Sequence, residues 1–314
     1  MTKPLLILLG PTAVGKTDIS ILSAKVLEGE IISADSMQVY KYMDIGTAKP
    51  TLEEMNGVKH HLIDIVYPDE EFSVAVFRNL AGDCIDNILL KDKLPIVSGG
   101  TGLYINSLSH NLDFTHIISD QEYRDSLQKL AEQYGNPYIH NMLKEVDIES
   151  FNRLHENDTR RIIRALEVFK HTGNTITKFQ NESKNKAIDF ELCMIGLTMD
   201  RHKLYDRINL RVDKMIKNGL IEEVEKLLNM GYSNNLTSMQ GLGYKEIVSY
   251  LSGEYSLDGA VELLKQNTRH FAKRQLTWFR REERIHWINL DNFKTMDDAV
   301  KNITDYVAGK FNLI

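Results

Sequence analysis

Apolar residues recur along this chain in two rhythms. Short solid runs, Leu5 to Leu9, Glu30 to Ala34, His60 to Val66, Leu94 to Ser98 and Glu191 to Leu197, are bounded by turn-forming residues. Runs of that length read as strands buried on both faces of a parallel sheet. Between them the spacing becomes helical, over Asp18 to Leu27 and Phe72 to Leu90, and Gly99 to Tyr104 turns into a further helix. The alternation predicts a parallel sheet with helices on its faces. From Ser119 to Lys178 the strand signals vanish and helical periodicity takes over, with caps expected at Ser119, three residues before Glu122, and at Asp158 before Arg160. The expected organisation is an α/β core of residues 1–115 and 190–314 interrupted by an all-helical subdomain of residues 116–189. Helices follow the last strand over Arg201 to Met230 and Leu257 to Arg284, and the tail from Ile285 reads as an extended segment plus one helix.

The composition narrows the class. With 314 residues, 42% hydrophobic and 26% charged, the chain can bury a large core. A net charge of −6 excludes a globally basic protein and leaves room for local basic patches. The two cysteines, Cys84 and Cys193, are far apart and lack metal-site spacing, so ordinary thiols in a reducing compartment are expected. No stretch approaches the ~18 apolar residues of a membrane span, and the early apolar run is too short for a signal peptide. A cytoplasmic protein is expected.

The candidate chemistry begins at Gly10-Pro11-Thr12-Ala13-Val14-Gly15-Lys16-Thr17, which follows one strand and opens a helix. It has the Gly-x-x-x-x-Gly-Lys-Thr spacing of a phosphate loop, or P-loop. The glycines let backbone N–H groups turn inward around a polyphosphate, the helix start adds partial positive charge, and Lys16 and Thr17 supply an ammonium and a metal-facing hydroxyl. Asp35, 18 residues past Thr17 at the end of the second strand, can face the same crevice. A carboxylate there can ligate a metal, act as a general base, or cap a helix. Gln38 offers an amide able to read a base edge. Gly99 to Tyr104 forms a second close-approach loop in which Thr101 presents a hydroxyl at a helix start. His60 and His61 lie in an apolar strand and are expected to be satisfied there rather than to bind metal. Arg207 and Arg211, at i and i+4, could reach a bound pyrophosphate or form an ordinary helix ion pair.

Basic residues are sorted on the helix from Lys265 to Arg284, which holds seven Lys and Arg against Glu282 and Glu283. At about 100° per residue, Lys265, Arg269, Lys273, Arg280 and Arg284 form one stripe, with Leu264, Phe271 and Trp278 opposite. A second cluster, Arg160, Arg161 and Arg164, opens a helix in the insert. Each alone is compatible with a solvated face; two in an acidic protein point to nucleic acid.

Taken together these residues resemble the tRNA dimethylallyltransferase (isopentenyltransferase) family, bacterial type. The resemblance runs through Gly10 to Thr17, Asp35 to Tyr40, Gly46 to Pro50, His60 to Asp64, Gly99 to Tyr104, Asp158 to Arg161, Gly243 to Glu246 and Thr268 to Arg281. It implies transfer of a dimethylallyl group from dimethylallyl diphosphate to N6 of the adenosine just 3′ of the anticodon. The diphosphate would lie on Gly10, Pro11, Thr12, Ala13, Val14, Gly15, Lys16 and Thr17, with Arg211 as an extra clamp and Mg²⁺ near Thr17. Asp35 would be the base, and Thr101 would help hold the adenine. The resemblance places tRNA contacts at Asp35, Ser36, Met37, Gln38, Thr101, Arg124, Thr159, Arg160, Arg161, Ile162, Ile163, Arg164, Arg269, Lys273, Arg274 and Arg280. A monomer is expected. Two other functions use some of the same residues: a P-loop kinase of a small metabolite, which binds ATP on the loop, and a nucleotide-dependent RNA-binding switch without catalysis. The kinase leaves the basic helix without a role, and the switch gives none to Asp35 and Thr101.

Overall fold

The computed structural model describes residues 3–110, 120–184 and 188–312. The chain divides into two compact units, one of Met1–Asn106 with Asp189–Ile314 and one of Ser107–Ile188.

The first stretch of chain forms β1 (Lys3–Leu9), α1 (Lys16–Val26), β2 (Gly29–Ala34), the short α2 (Leu52–Met55), β3 (His60–His61), α3 (Val74–Leu89), β4 (Leu94–Gly99) and α4 (Gly102–Ser109). The described elements of the insert are all helices, α5 (Gln121–Tyr134), α6 (Asn136–Val146), α7 (Ile148–Arg153), α8 (Thr159–Thr172) and α9 (Ile176–Lys184). The chain then forms β5 (Phe190–Thr198), α10 (Arg201–Lys217), α11 (Leu220–Asn229), α12 (Tyr244–Leu251), α13 (Leu257–Phe279), β6 (Ile285–Asn289), one 3₁₀ turn and α14 (Met296–Phe311).

All six strands run parallel in the order β3-β2-β4-β1-β5-β6. Leu5 to Leu9 are wholly buried, because a central strand of such a sheet is covered on both faces. The register sets Leu9 beside Gly99 and Ala34 beside Gly99, so the loops after β1, β2 and β4 leave the sheet together. Those are the carboxyl ends of strands, where open α/β sheets hold ligands. A second core of the same unit gathers Val39, Tyr40 and Met43 with Val212, Leu220, Val224, Met239, Tyr244, Ile247 and Leu264 from α10 to α13. It anchors the segment that follows Asp35. The insert has its own core, built on Leu127, Ala131, Ile139, Leu143, Ile162, Ile163, Ala165 and Leu166.

Several expectations shift. The run His60 to Val66 pairs as a strand only at His60 and His61, since Leu62 (φ 61°) and Asp64 (φ 56°) turn out of extended backbone; Val66 returns through an isolated bridge to Tyr40. Arg201 to Met230 is two helices rather than one, because Gly219 sits at φ 100°, a conformation open to glycine. The basic helix ends at Phe279, so Arg280 is its C-cap and Arg284 lies beyond it. Ser119 falls outside the described residues; Asp120 accepts the Tyr123 N–H and caps α5. Asp158 does occupy the N-cap position of α8, but its side chain makes no cap bond and faces Arg161 at 3.7 Å.

Candidate active site

Gly10 to Thr17 passes from β1 into α1 through two left-handed residues, Ala13 (φ 63°) and Gly15 (φ 108°), the alternation that turns successive N–H groups to one side. Gly15 also has Arg207 against it, since a Cβ there would lie 3.5 Å from the guanidinium. Lys16 Nζ folds back and donates to the carbonyls of Gly10 (3.0 Å) and Pro11 (2.8 Å). Burial pushes its pKa down to about 7, with Arg211 adding to the shift and Asp35 opposing it. Burial likewise lowers Arg211, with Asp35 opposing and Arg207 adding. Lys16, Arg207 and Arg211 are thus gathered beside the loop, with Asp35 as the opposing charge.

The Asp35 side chain stands at the end of β2, where Oδ1 accepts the Met37 N–H at 2.9 Å. The bond fixes one carboxylate oxygen. Asp35 lines a pocket with Lys16, Thr17, Ser20, Ser33, Gln38, Pro50, His60 and Ser98. Thr101 joins the same corner: its Oγ1 accepts the Ser36 N–H at 3.0 Å, and its N–H donates to the Ala34 carbonyl at 3.2 Å. Gln38 is already engaged, its Oε1 accepting from Ser33 at 2.9 Å and its Nε2 reaching the Ala48 carbonyl at 3.3 Å. Met37 packs on Gly241, where a Cβ would come 2.4 Å from its methyl. His60 holds the Val58 carbonyl at 2.9 Å, and His61 pairs with buried Glu30 at 2.8 Å, so both histidines are satisfied.

Several organising residues carry no local signal in the sequence. Glu223 accepts the N–H groups of Asp44, Ile45 and Gly46 and the hydroxyl of Tyr244. It thereby pins the loop that holds Gln38. Lys49 reaches the Tyr40 carbonyl, Asp44 and Asp64 from one ammonium. Gln275, buried on α13, accepts the Thr12 N–H at 2.8 Å and donates to the Gly100 carbonyl at 2.9 Å. The family-like stretches Gly46 to Pro50, Gly243 to Glu246 and Thr268 to Arg281 contain or adjoin these residues, but an isolated Glu, Lys or Gln has no pattern of its own.

The basic residues divide into engaged and exposed. Lys265 sits between Asp213 (2.9 Å) and Glu262 (3.2 Å) with its side chain 15% exposed. Arg269 donates to Asn209 at 2.6 Å, and Arg284 is paired with Glu282. Lys273, Arg274 and Arg280 are exposed on α13 and its cap. The buried stripe of that helix is Ala260, Leu264, Ala272, Gln275 and Phe279, while Phe271 and Trp278 are only half-buried. In the insert, Arg124 makes a two-pronged pair with the buried Glu167 (2.8 and 3.0 Å), which Arg164 also meets. These partners hold the Glu167 carboxyl below its ordinary value against the cost of burial. Ile162 and Ile163 are core residues, Thr159 is half-buried, and Arg160 and Arg161 are exposed at the start of α8.

Thr17 is exposed in the first turn of α1. Among the described residues no group of three His, Cys, Asp or Glu side chains could hold a metal ion. A hydroxyl beside a diphosphate suits Mg²⁺, which keeps water and takes most of its ligands from substrate phosphates. Among the described residues no helix is long and apolar enough to cross a membrane.

Comparison with known proteins gives one consistent result. The family model described as IPP transferase matches residues 38–282, and one described as isopentenyl transferase matches residues 3–66. The chain is 55% identical to a tRNA dimethylallyltransferase of Alkaliphilus oremlandii, with 99% of each covered. It is 57% identical to one of Acetivibrio thermocellus, over 96% of this chain and 97% of the other. Among solved structures, the tRNA isopentenylpyrophosphate transferase of Bacillus halodurans superposes with a TM-score of 0.74 at 45% identity, covering 99% and 97% of the two chains. A eukaryotic dimethylallyltransferase acting on tRNA superposes with a TM-score of 0.82 at 28% identity, covering 98% of this chain and 80% of the other.

Proposed function

The chain belongs to the IPP transferase family, and we propose that its phosphate loop and the Asp35–Thr101 corner carry out the dimethylallyl transfer of its relatives. It is a prenyltransferase that modifies tRNA; the reaction proposed for it moves the dimethylallyl group of dimethylallyl diphosphate to N6 of the adenosine 3′ to the anticodon and releases diphosphate. The observation that carries the assignment of residues is that a lysine-bearing phosphate loop and Asp35 line one pocket, with Thr101 hydrogen-bonded beside it.

In this reading Gly10 to Thr17 bind the diphosphate through inward N–H groups and the start of α1. Lys16, Arg207 and Arg211 neutralise the charge that develops on it as the C1–O bond breaks. Mg²⁺, held by the Thr17 hydroxyl and the diphosphate, would spread that charge further. An adenine N6 is a weak nucleophile because its lone pair is delocalised into the ring. Asp35 therefore takes the N6 proton through its free oxygen as the N6–C1 bond forms. Ser36, Gln38 and Thr101 surround a base that has left the RNA stack. Lys273, Arg274 and Arg280 on one unit, and Arg160 and Arg161 on the other, meet RNA phosphates. Arg124, Arg164 and Arg269 contribute only what their existing pairs leave over, and Ile162 and Ile163 offer backbone alone.

The test is single-turnover incubation of an anticodon stem-loop with dimethylallyl diphosphate and Mg²⁺. The expected result is one diphosphate released per dimethyallylated adenosine, with Lys16→Ala slowing transfer by roughly 10²-fold or more. Transfer of a γ-phosphoryl group from ATP to a small molecule, with no prenylation of RNA, would refute it.

A further inference from the structure

Beyond the last ladder pair, Leu9 with Gly99, two loops diverge toward different substrates: one to the phosphate cradle, one to Thr101. Gln275 of α13 bridges them again. Its Oε1 accepts the Thr12 N–H at 2.8 Å, and its Nε2 donates to the Gly100 carbonyl at 2.9 Å. The fit is close, since a Cβ on Gly100 would lie 2.2 Å from Nε2. One partner is a donor and the other an acceptor, so only a neutral amide, or a protonated carboxyl, can serve both. Gln275 is 7% exposed, and loss of its bond to Gly100 leaves a buried carbonyl without that partner.

The bridge reaches the reacting groups on both sides. Thr12 lies within the diphosphate loop, four residues before Lys16. Gly100 precedes Thr101, which is bonded to Ser36 beside Asp35. One turn along α13, Trp278 lies against the same glycine turn, where a Cβ on Gly102 would come 2.4 Å from its ring. The exposed cations Lys273 and Arg274 immediately precede Gln275, so the helix that meets RNA also holds both loops.

We propose that Gln275 is a positioning residue that sets the separation between the diphosphate on Gly10–Thr17 and the base beside Thr101. Its amide thus governs the transfer rate once both substrates are bound. The inference rests on the dimethylallyl-transfer reading above. Small misplacements of reacting atoms are expensive in rate and cheap in affinity, because each loop still binds its own ligand.

Gln275→Leu and Gln275→Glu test this. With both substrates saturating, single-turnover transfer should fall by about 10- to 100-fold in Gln275→Leu. The dissociation constants of Mg²⁺–diphosphate and of the stem-loop, each measured alone, should stay within about threefold of the parent. Gln275→Glu keeps the shape, and its rate relative to the parent should rise as pH falls. The neutral carboxyl can donate to the Gly100 carbonyl, whereas the carboxylate repels it. If Gln275→Leu does not fold, the Glu variant and its pH profile carry the test. A parental rate at saturation in folded Gln275→Leu, or a Glu variant without that pH response, would overturn the proposal. So would a loss confined to melting temperature or to binding of one ligand. A parent enzyme that does not prenylate the stem-loop would refute the underlying reading instead.

Discussion

Lys16 should take up a proton when dimethylallyl diphosphate binds. Burial and Arg211 hold its free pKa at about 7, so at pH 8 only about a tenth of the sites carry the ammonium. A bound diphosphate supplies the opposing charge and should return the group toward its ordinary value near 10.4, leaving it fully protonated. Uptake is then about 0.9 proton per site at pH 8 and about 0.1 at pH 6. For the same reason affinity should fall by up to about tenfold per pH unit above 8, as binding must draw a proton from ever more dilute supply. Calorimetric titration without RNA, in buffers of different ionisation enthalpy, reads the number directly as a slope. At pH 8 an alkyl diphosphate, whose terminal phosphate ionises near pH 6, contributes little of its own. Lys16→Arg, which stays charged throughout, should reduce the slope to near zero. A binding enthalpy independent of buffer at pH 8 would show that Lys16 is already an ammonium in the free loop, and that burial beside Arg211 does not discharge it.

Other predictions concern the base, the RNA surface and a buried carboxylate. Asp35→Asn should bind both substrates almost normally and transfer roughly 10²-fold more slowly; rescue by high Mg²⁺ would instead mark Asp35 as a metal ligand. Lys273→Ala and Arg280→Ala should each lower the log–log salt slope of stem-loop binding by about 0.7 to 0.9, whereas Lys265→Ala, already committed to Asp213 and Glu262, should change it little. Glu223→Ala should loosen the Asp44–Gly46 turn behind Gln38 and raise the KM for RNA with little effect on diphosphate affinity, measured by steady-state kinetics and calorimetry. At the opposite end of the strands, His61, Lys91 and Lys93 lower the Glu30 pKa to about 2 against the desolvation that burial imposes. A depressed carboxylate stabilises the fold above its unfolded pKa and loses that contribution as pH falls. Melting temperature should therefore drop between about pH 5 and 2, and Glu30→Gln should flatten that slope while costing on the order of 2 kcal/mol at pH 7.

Whatever is encoded within one turn or one strand is legible along the chain. The phosphate loop is legible because its cradle is contiguous backbone, eight residues whose dihedral needs and N–H groups are specified on the spot. The strands are legible because burial on both faces demands unbroken apolar runs, and Asp35 because a strand end delivers it to the ligand edge. The break at Gly219 was already readable as a glycine, yet helical periodicity on both sides concealed it. Tertiary structure alone decided which polar groups are free to act. Lys265 is held by Asp213 and Arg269 by Asn209 on α10, Arg124 by Glu167 on α8, and the loops at Thr12 and Gly100 by Gln275 on α13. Periodicity sorts a side chain onto a face of its own helix. Whether a charge there is available to a phosphate, or an amide to a loop, depends on what packs against that face from tens or hundreds of residues away, and no local pattern carries that information.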